Sequence, residues 1–478
     1  MISALPVVVL LALIGSLLII SGPSAISDYS PICLLVAALS SFIIAALNKS
    51  LGRRGLAVGL VRSAKQILPA IPMLICIAMV STTWMLSGVV PVLIEYGLDI
   101  LNPELFLVIC CLICGVISVL TGSSWSTIAT IGVALMGIGT VLGFNPGWIA
   151  GAIISGAYFG DKVSPLSDTT VLSASTCGVD LFKHIRYLLI TTLPSLIIAL
   201  GVFLVAGFSI ETHSAIDSSE ILSRLNSTFN ITPWALIIPA ITLTMIALRV
   251  PTLITLFCSA MLGLAGIFIF QPAIVGYAGM EGLVDGAKGS LTVLWQGLPF
   301  STGSDLFDNL VSTSGILGML STIMLVISAM IFGIAMIGTG MLSTLTHAIT
   351  RKIRRRVSLV GTTVASGLFL NGCTADQYLS IIIGGNMYRN AYRRCGLEPR
   401  LLSRTLEDSI SVTSVLIPWN SCGVTQSAVL GVSTFAYLPY CVFNYLSPLV
   451  TLLVALTGFK VKNAISTMLS DSKSPLPA

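Results

Sequence analysis

The chain has 478 residues, of which 55% are hydrophobic and 9% are charged, and it carries a net charge of +5. Soluble domains carry roughly 25% charged residues, so this composition excludes a soluble globular protein, and the length is enough for about a dozen spans of roughly 20 residues each. The apolar stretches are continuous rather than alternating, which excludes a membrane β-barrel. The sequence predicts an all-α polytopic membrane protein, with one transmembrane domain over residues 1–478.

Apolar runs define the predicted helices in chain order. The first half has spans at 5–20, 32–46, 67–87, 104–121 and 123–143, then an interrupted stretch at 148–176 and a span at 187–208. Spans at 232–248 and 252–270 precede an external amphipathic or re-entrant piece at 271–309. A span at 316–342, two short spans up to Tyr388 and two final spans up to Lys460 complete the chain. The expected total is about 12–14 transmembrane helices.

Lys and Arg are concentrated in three of the connections, at 49–65, 351–356 and 389–404. Basic loops stay on the cytoplasmic side of a membrane, so these loops and both chain termini are predicted to be cytoplasmic. The positive net charge therefore reports orientation, and no nucleic-acid partner is expected. The 11 cysteines are scattered through apolar runs. They indicate buried thiols rather than a metal site, and no cofactor is expected.

The most informative stretch is 156–175, which reads GAYFGDKVSPLSDTTVLSAS. It places Asp161, Lys162 and Asp168 at hydrocarbon depth, with Gly160 and Pro165 available to interrupt a helix. Ionisable residues at that depth are costly and usually functional. A broken helix is tolerated there only when its backbone is buried in protein or lines a watery cavity. The stretch therefore predicts a binding site at a helix break.

The two halves of the chain contain a matching pair of segments. LTGSSWSTIATIG from Leu120 resembles LNGCTADQYLSII from Leu370, and each precedes a polar, proline-centred break, at Pro165 and Pro418 respectively. This alignment places Asp376 opposite Ser126. With the predicted topology the two segments cross in opposite directions. The sequence thus predicts inverted repeats over approximately 67–208 and 316–457, which bring two broken helices together near the midplane.

Oxygen-bearing side chains near these breaks are the candidate ligands. Carboxylates, hydroxyls and freed carbonyls are the ligands of hard cations such as Na⁺, and a buried carboxylate can also hold a proton. Asp168 and Asp376, which lack an adjacent basic residue, are the favoured Na⁺ ligands. The cation- or proton-binding set is Asp161, Asp168, Asp376 and Asp408, supported by Thr121, Ser164, Ser167, Thr169, Asn371, Thr374, Thr413, Asn420 and Ser421.

Structural roles remain open for some of these residues. Asp161 could form an ion pair with its neighbour Lys162, and Glu407 could lie at a cytoplasmic helix start. None of the three histidines falls inside a predicted span, so aspartates are expected to carry the protons.

Several long motifs resemble the NhaC-type Na⁺/H⁺ antiporter family. They are GAYFGDKVSPLSDTT with DLFKHIRYLLITTLPS in the first half, and TADQYLSIIIGGNMY, LSRTLEDSISVTSVLIPWNSCG and FAYLPY in the second. The resemblance covers most of the chain in order. It implies an exchanger of the bacterial cytoplasmic membrane, built from inverted repeats, that exchanges Na⁺ for H⁺, or malate for lactate together with Na⁺ and H⁺.

Three functions are considered for these residues. The favoured one is secondary active transport, with cytoplasmic Na⁺ exchanged for external H⁺ by competition at buried Asp carboxylates, which would serve pH homeostasis. The alternative is Na⁺- or H⁺-coupled exchange of small organic anions, held by Lys162 and by the helix start at 123–126. An aspartyl protease is disfavoured because Tyr158 replaces the first Gly of its motif, so no enzyme activity is expected. The expected partners are Na⁺, H⁺ and membrane lipid, and a homodimer is left open.

Overall fold

A computed structural model describes residues 2–21, 25–47, 70–210, 215–342, 344–345 and 355–459. The predicted basic loop at 49–65, most of the one at 351–356 and both extreme termini lie outside the described residues. The described part is built from α-helices, with short 3-10 and π segments and no β-strand. This confirms the predicted fold class.

The helices of the first half begin after a short 3-10 turn at Ile2–Ala4. They are α1 (Leu5–Ser21), α2 (Ala25–Leu47), α3 (Ala70–Leu86), α4 (Val89–Ile100), α5 (Phe106–Thr121), α6 (Ser124–Val141), α7 (Pro146–Val163), α8 (Asp168–Cys177), α9 (Leu181–Ser209) and α10 (Ala215–Thr228).

The helices of the second half follow in the same way. They are α11 (Ile237–Ala247), α12 (Thr252–Phe270), α13 (Pro272–Tyr277), α14 (Leu283–Gln296), α15 (Asp305–Val311), α16 (Gly315–Gly338), α17 (Arg356–Thr374), α18 (Gln377–Arg394), α19 (Pro399–Leu406), α20 (Ser421–Leu430), α21 (Thr434–Tyr437) and α22 (Val442–Thr457). Three short helices, α13 to α15, occupy the stretch predicted as amphipathic or re-entrant.

Within the described part, seven helices are long and apolar enough to cross a membrane, or ten if each of three bent pairs forms one span. The bent pairs turn by 64°, 87° and 54° at their breaks. This number is below the 12–14 expected from the sequence. The helices beside the Pro165 and Pro418 breaks are not among those counted, because they are short or carry polar residues.

The helix boundaries repeat along the chain at a constant interval of 253 residues: α6 and α18 begin at 124 and 377, α7 and α19 at 146 and 399, and α8 and α20 at 168 and 421. Both α8 and α20 end at a glycine in the left-handed region, Gly178 and Gly431. These matching boundaries are the ones expected of two copies of one four-helix unit, and we name α5–α8 the first copy and α17–α20 the second. That the copies cross the membrane in opposite directions stays a prediction.

Two glycines allow α7 to lie against α5 in the first copy. A Cβ added at Gly156 would lie 2.0 Å from the Cys111 carbonyl oxygen, and one at Gly160 would lie 2.3 Å from that of Gly115. Small residues four apart allow such close helix packing in membranes, where burial of apolar surface provides little driving force. The contact fixes the C-terminal end of α7, and so Asp161, beside the turn that joins α5 to α6.

Candidate functional site

Each copy contains a helix break centred on a proline. Helix α7 ends at Val163, and α8 begins at Asp168 after the turn containing Pro165. In the second copy, α19 continues as a π segment (Glu407–Ser411) and a 3-10 turn (Ser414–Leu416), and α20 begins at Ser421 after Pro418. Proline has no N–H to donate and interrupts a helix. Both predicted breaks are therefore present.

A second pair of breaks separates α5 from α6 and α17 from α18. Gly122 and Ala375 occupy the left-handed region there, with φ of 70° and 56°. The following residues, Ser123 and Asp376, cap the next helix: Ser123 Oγ accepts from the Ser126 N–H at 3.2 Å, and Asp376 Oδ1 accepts from the Leu379 N–H at 2.8 Å. These caps satisfy free N–H groups of the helix start.

The caps correct the sequence alignment of the two copies. In the first copy the Thr121 hydroxyl accepts from the Ser123 N–H and contacts the Thr127 hydroxyl at 3.3 Å. In the second copy Thr374 makes the same two contacts, with Asp376 and with Ser380 at 2.7 Å. Asp376 is thus equivalent to Ser123, and its predicted equivalence to Ser126 was wrong by three residues.

The Asp161 side chain joins the first break to the start of α6. Its Oδ2 accepts hydrogen bonds from the Ser124 hydroxyl at 2.6 Å and from the Ser124 N–H at 3.2 Å. Negative charge at a helix N-terminus is stabilised by the helix dipole. The carboxylate is half-buried and makes no ion pair with Lys162, so the sequence alternative of an Asp161–Lys162 pair is not what the structure contains.

Asp168 and its neighbours form the start of α8. Asp168 is the first residue of the helix, and its side chain is exposed rather than buried as expected. The adjacent hydroxyls of Ser167 and Thr169, both buried, lie 3.0 Å apart. Ser164 is turned away from them, because its hydroxyl donates to the Val119 carbonyl at 2.8 Å. Of these predicted ligands, Ser167 and Thr169 therefore lie together, whereas Ser164 does not join them.

The oxygen-bearing residues of the second copy form a hydrogen-bond network between the Pro418 break and the turn that precedes Asp376. Asn420 donates to the Asn371 carbonyl at 3.1 Å, and the Ser421 N–H donates to the Ala375 carbonyl at 2.8 Å. The buried Oδ1 of Asn371 has no hydrogen-bond partner. Thr413 donates its hydroxyl to the Ser409 carbonyl of the π segment and accepts a hydrogen bond from the Asn371 amide at 3.4 Å. The network holds the Pro418 break against the α17–α18 turn.

Several carbonyls freed by the second break are already satisfied by side chains. Asn371 donates to the Ile410 carbonyl at 2.7 Å, and Asn444 of α22 donates to the Val412 carbonyl at 2.7 Å. Tyr437 donates to the Val415 carbonyl at 2.9 Å. Carbonyls bonded in this way retain a second lone pair, but they are held in fixed positions. The predicted use of freed carbonyls as cation ligands is therefore limited to carbonyls that accept no hydrogen bond from these side chains.

Asp408 has partners different from those expected of an ion ligand. Lys162 donates to it, and the side chains of Asp408 and Lys162 are 0% and 1% exposed respectively. Thr191 and Ser447 donate to the same carboxylate at 2.9 Å each, and Thr451 also donates to it. Arg404 Nε, also fully buried, lies 4.0 Å from Asp408 Oδ2. Such a buried cluster favours a structural role, and ion binding by Asp408 stays a prediction. The cluster joins α7 and the π segment after α19 to α9 and α22.

Glu407 is the residue for which the sequence leaves open a position at a cytoplasmic helix start. In the structure it is fully buried on the π segment after α19. Ser173 of α8 donates to its Oε2, and its Oε1 has no hydrogen-bond partner. Asp161 is near enough for the two carboxylates to interact electrostatically. Single π turns inside α-helices occur often at functional sites, and such a turn is not detectable from residue spacing.

The four helix breaks meet in one region. Helix α8 packs against α18, and α20 packs against the π segment at Ile128–Gly132 within α6. Tyr378, at the start of α18, is close enough to Asp161, Asp168 and Asp376 to interact with them electrostatically. The structure thus brings together three of the four predicted aspartates and Glu407. Among the described residues no cluster of three or more His, Cys, Asp or Glu has metal-site geometry, so any cation here needs hydroxyl or carbonyl ligands as well.

Comparison with known proteins agrees with these motifs. The chain is 37% identical over 430 residues, 90% of each chain, to the Na(+)/H(+) antiporter NhaC of Alkalihalophilus pseudofirmus. It is 31% identical to the Na(+)/H(+) antiporter NhaC of Bacillus subtilis, over 90% of this chain and 92% of that one. It is also 32% identical to the malate-2H(+)/Na(+)-lactate antiporter of Bacillus subtilis, over 82% of this chain and 81% of that one. The Na⁺/H⁺ antiporter family profile matches residues 1–189 and 156–459, and the chain belongs to this family.

Proposed function

We propose that this chain exchanges cytoplasmic Na⁺ for external H⁺ across the bacterial cytoplasmic membrane and so contributes to pH homeostasis. The observation that carries the proposal is the fully buried Glu407 of the second break, which accepts a hydrogen bond from Ser173 of α8 and lies near enough to Asp161 of the first break for their charges to interact. These carboxylates come from the two broken helices, their charges interact, and one oxygen of the fully buried Glu407 has no partner. Two of the relatives reported above bear the name of this activity.

Competition at these carboxylates would couple the two ions. Two neighbouring carboxylates resist being ionised together in a buried site, so one of them binds either a proton or a cation. Ser167, Thr169 and Ser173 add neutral oxygen ligands beside Glu407 and Asp161, which suits a hard cation. A proton that binds must displace Na⁺, and a site that opens alternately to each side then performs exchange.

Asp168 and Asp376 complete the proposed path. Asp168 is exposed at the first residue of α8, which supports a role in receiving a hydrated cation. Asp376 uses one oxygen to cap α18 and is half-buried. Since a carboxylate has two oxygens and about four lone pairs, Asp376 can cap the helix and contact Na⁺ at the same time.

The organic-anion alternative is less favoured by the geometry. It needs Lys162 to hold a substrate carboxylate, but Lys162 is 1% exposed and donates to Asp408 and to Ser447. The helix start at 123–126 is occupied in turn by the Asp161 carboxylate. An anion would have to displace one of these internal carboxylates, whereas a cation uses them directly.

The test is reconstitution of the purified protein in liposomes containing a pH-sensitive dye. Na⁺, Li⁺, K⁺, malate and lactate are added in turn, with Asp161→Asn and Glu407→Gln as matched neutral variants. We expect a pH change with Na⁺ that both variants lose. A response to malate or lactate but not to Na⁺ alone would select the alternative and reject Na⁺/H⁺ exchange.

The proposal extends to the protein's wider setting. We propose a transporter without enzyme activity or resident cofactor, whose transported partners are Na⁺ and H⁺. It would be a multi-pass protein with both termini cytoplasmic, in contact with membrane lipid. A homodimer is compatible with the many apolar side chains exposed on the helices, such as those of α9, and analytical ultracentrifugation in detergent would measure the oligomeric state.

A further inference from the structure

A large cavity lies beside the C-terminal end of α20. Its volume is about 680 Å³, and helices α3, α6, α16 and α20 contribute to its walls. Hydroxyl groups are frequent among its lining residues, and none of those residues is charged. Six of the hydroxyl residues are Ser81, Thr82, Thr140, Ser314, Thr322 and Ser427. Pro418 also lines the cavity, so it reaches the second helix break directly.

The end of α20 gives this cavity a negative potential. Gly431 reverses the chain with φ of 66°, and the N–H groups of Gly431 and Val432 both donate to the Ser427 carbonyl. The next three carbonyls, at 428–430, accept no hydrogen bond from the described groups, and these residues line the cavity. Free carbonyls at a helix C-terminus carry partial negative charge. An uncharged cavity beside them attracts cations and repels anions.

The equivalent place in the first copy is built differently. The end of α8 lies beside a cavity of only about 150 Å³, lined among others by Gly178, Arg389, Arg393 and Pro399. Arg389 donates to the Thr176 carbonyl at the end of α8. Arginine thus occupies the negative helix end that is left free at α20.

Several residues that line one cavity correspond, at the interval of 253 residues, to residues that line the other. Gly178 corresponds to Gly431 and Pro399 to Pro146, and these residues line their respective cavities. Arg389 corresponds to Met136 and Arg393 to Thr140, which both line the large cavity. In the large cavity, an apolar residue (Met136) and a short polar residue (Thr140) therefore lie at the positions that Arg389 and Arg393 have in the small cavity.

We propose that the large cavity is the entrance through which a hydrated cation reaches the site, and that the arginine-filled cavity is its closed counterpart in the other copy. The proposal rests on the proposed function, because it assigns the route taken by the exchanged Na⁺. If the two copies cross the membrane in opposite directions, the cavities open to opposite sides. The structure then represents a state open on the side of α20 and closed on the side of α8.

The first test measures the cavity without transport. Thr140→Cys is treated with a cationic and with an anionic methanethiosulfonate reagent, and each rate is divided by that reagent's rate with a free thiol in solution. The unmodified chain is the control for its own 11 cysteines, of which nine are buried and two, Cys258 and Cys395, are half-buried. We expect the introduced thiol at position 140 to be modified, with the normalised rate at least about tenfold higher for the cationic reagent. An unreactive position, or equal normalised rates, would overturn the proposal.

The second test rebuilds the arginine plug in the large cavity. Thr140→Arg should lower the rate of Na⁺-dependent exchange at least about tenfold, because it places a positive charge at the free end of α20. Thr140→Gln, which is similar in length and neutral, should retain most of the rate. If the wild-type protein exchanges Na⁺ and Thr140→Arg does so at the same rate, the proposed entrance is wrong while the proposed function stands. If the wild-type protein itself shows no Na⁺-dependent exchange, the proposed function fails, while the labelling experiment still tests the cavity.

Discussion

Removing the charge of Asp408 is the sharpest test of the buried ion pair. The Asp408→Asn variant leaves the Lys162 ammonium 1% exposed, with the Ser447 hydroxyl at 2.8 Å and an amide in place of the carboxylate. Breaking one side of a buried pair leaves an uncompensated charge and costs about 3–5 kcal/mol, whereas replacing both members by neutral groups is often close to neutral. We therefore expect Asp408→Asn to lower the free energy of unfolding by about 3–5 kcal/mol. The double variant Asp408→Asn/Lys162→Met should recover part of that loss but not all of it, because the fully buried Arg404, whose Nε lies 4.0 Å from Asp408 Oδ2, still loses its carboxylate partner.

Unfolding in mixed micelles with increasing SDS provides the measurement, because it follows the loss of helix packing in a membrane protein at constant temperature. Tryptophan fluorescence of the single and double variants is compared with that of the wild type. The structural role of the Asp408–Lys162 pair would be refuted if Asp408→Asn were as stable as the wild type. It would also be refuted if the double variant lost as much free energy of unfolding as the two single variants together. A double variant that folds but no longer exchanges Na⁺ would assign Asp408 or Lys162 to transport, as the sequence alone suggests for Asp408.

Further predictions concern the ligands and the helix packing. Asp376→Asn should abolish Na⁺-dependent exchange in liposomes, although the Asn side chain can still cap α18. Asp376→Ala should in addition lower the free energy of unfolding by about 0.5–2 kcal/mol, because it removes the cap. If Asp376→Asn exchanges Na⁺ at the wild-type rate, this residue serves only as a helix cap. Asp168→Asn should weaken the apparent Na⁺ affinity in the same flux assay, and an unchanged affinity would remove Asp168 from the path. Gly156→Ala should cost about 1–3 kcal/mol in SDS unfolding, because its Cβ would lie 2.0 Å from the Cys111 oxygen. Gly201→Ala, where a Cβ meets nothing within 4 Å, is the control and should not be destabilising.

Much of the fold could be predicted because it depends on local chemistry. Continuous apolar runs defined most of the helices, and Pro165 and Pro418 marked the breaks where a missing N–H interrupts the helix. Ser167 and Asn420 cap the helices that follow, which agrees with the preference of such residues for helix starts. These features require only the residues within one or two turns of each position.

The remaining features depend on distant contacts or on unusual backbone geometry. The sequence alignment pairs Gly372 with Gly122, but in the structure Ala375 takes the left-handed conformation at the α17–α18 turn, which residues other than glycine adopt infrequently. Lys162 pairs with Asp408, 246 positions away, rather than with its neighbour Asp161; adjacent residues on a helix do not face each other. Glu407 follows a basic stretch and therefore looked cytoplasmic, while tertiary packing buries it completely.

The central claim is that Na⁺ and H⁺ compete for the carboxylates of Asp161 and Glu407. Calorimetric titration of the purified protein with Na⁺ at several pH values measures this competition directly. For one proton per cation, the apparent Kd should rise about tenfold for each unit by which the pH falls while the site is protonated, and Glu407→Gln should weaken Na⁺ binding and flatten the slope. A Na⁺ affinity that stays constant from about pH 6 to 9 would contradict a shared site and indicate separate paths for the two ions.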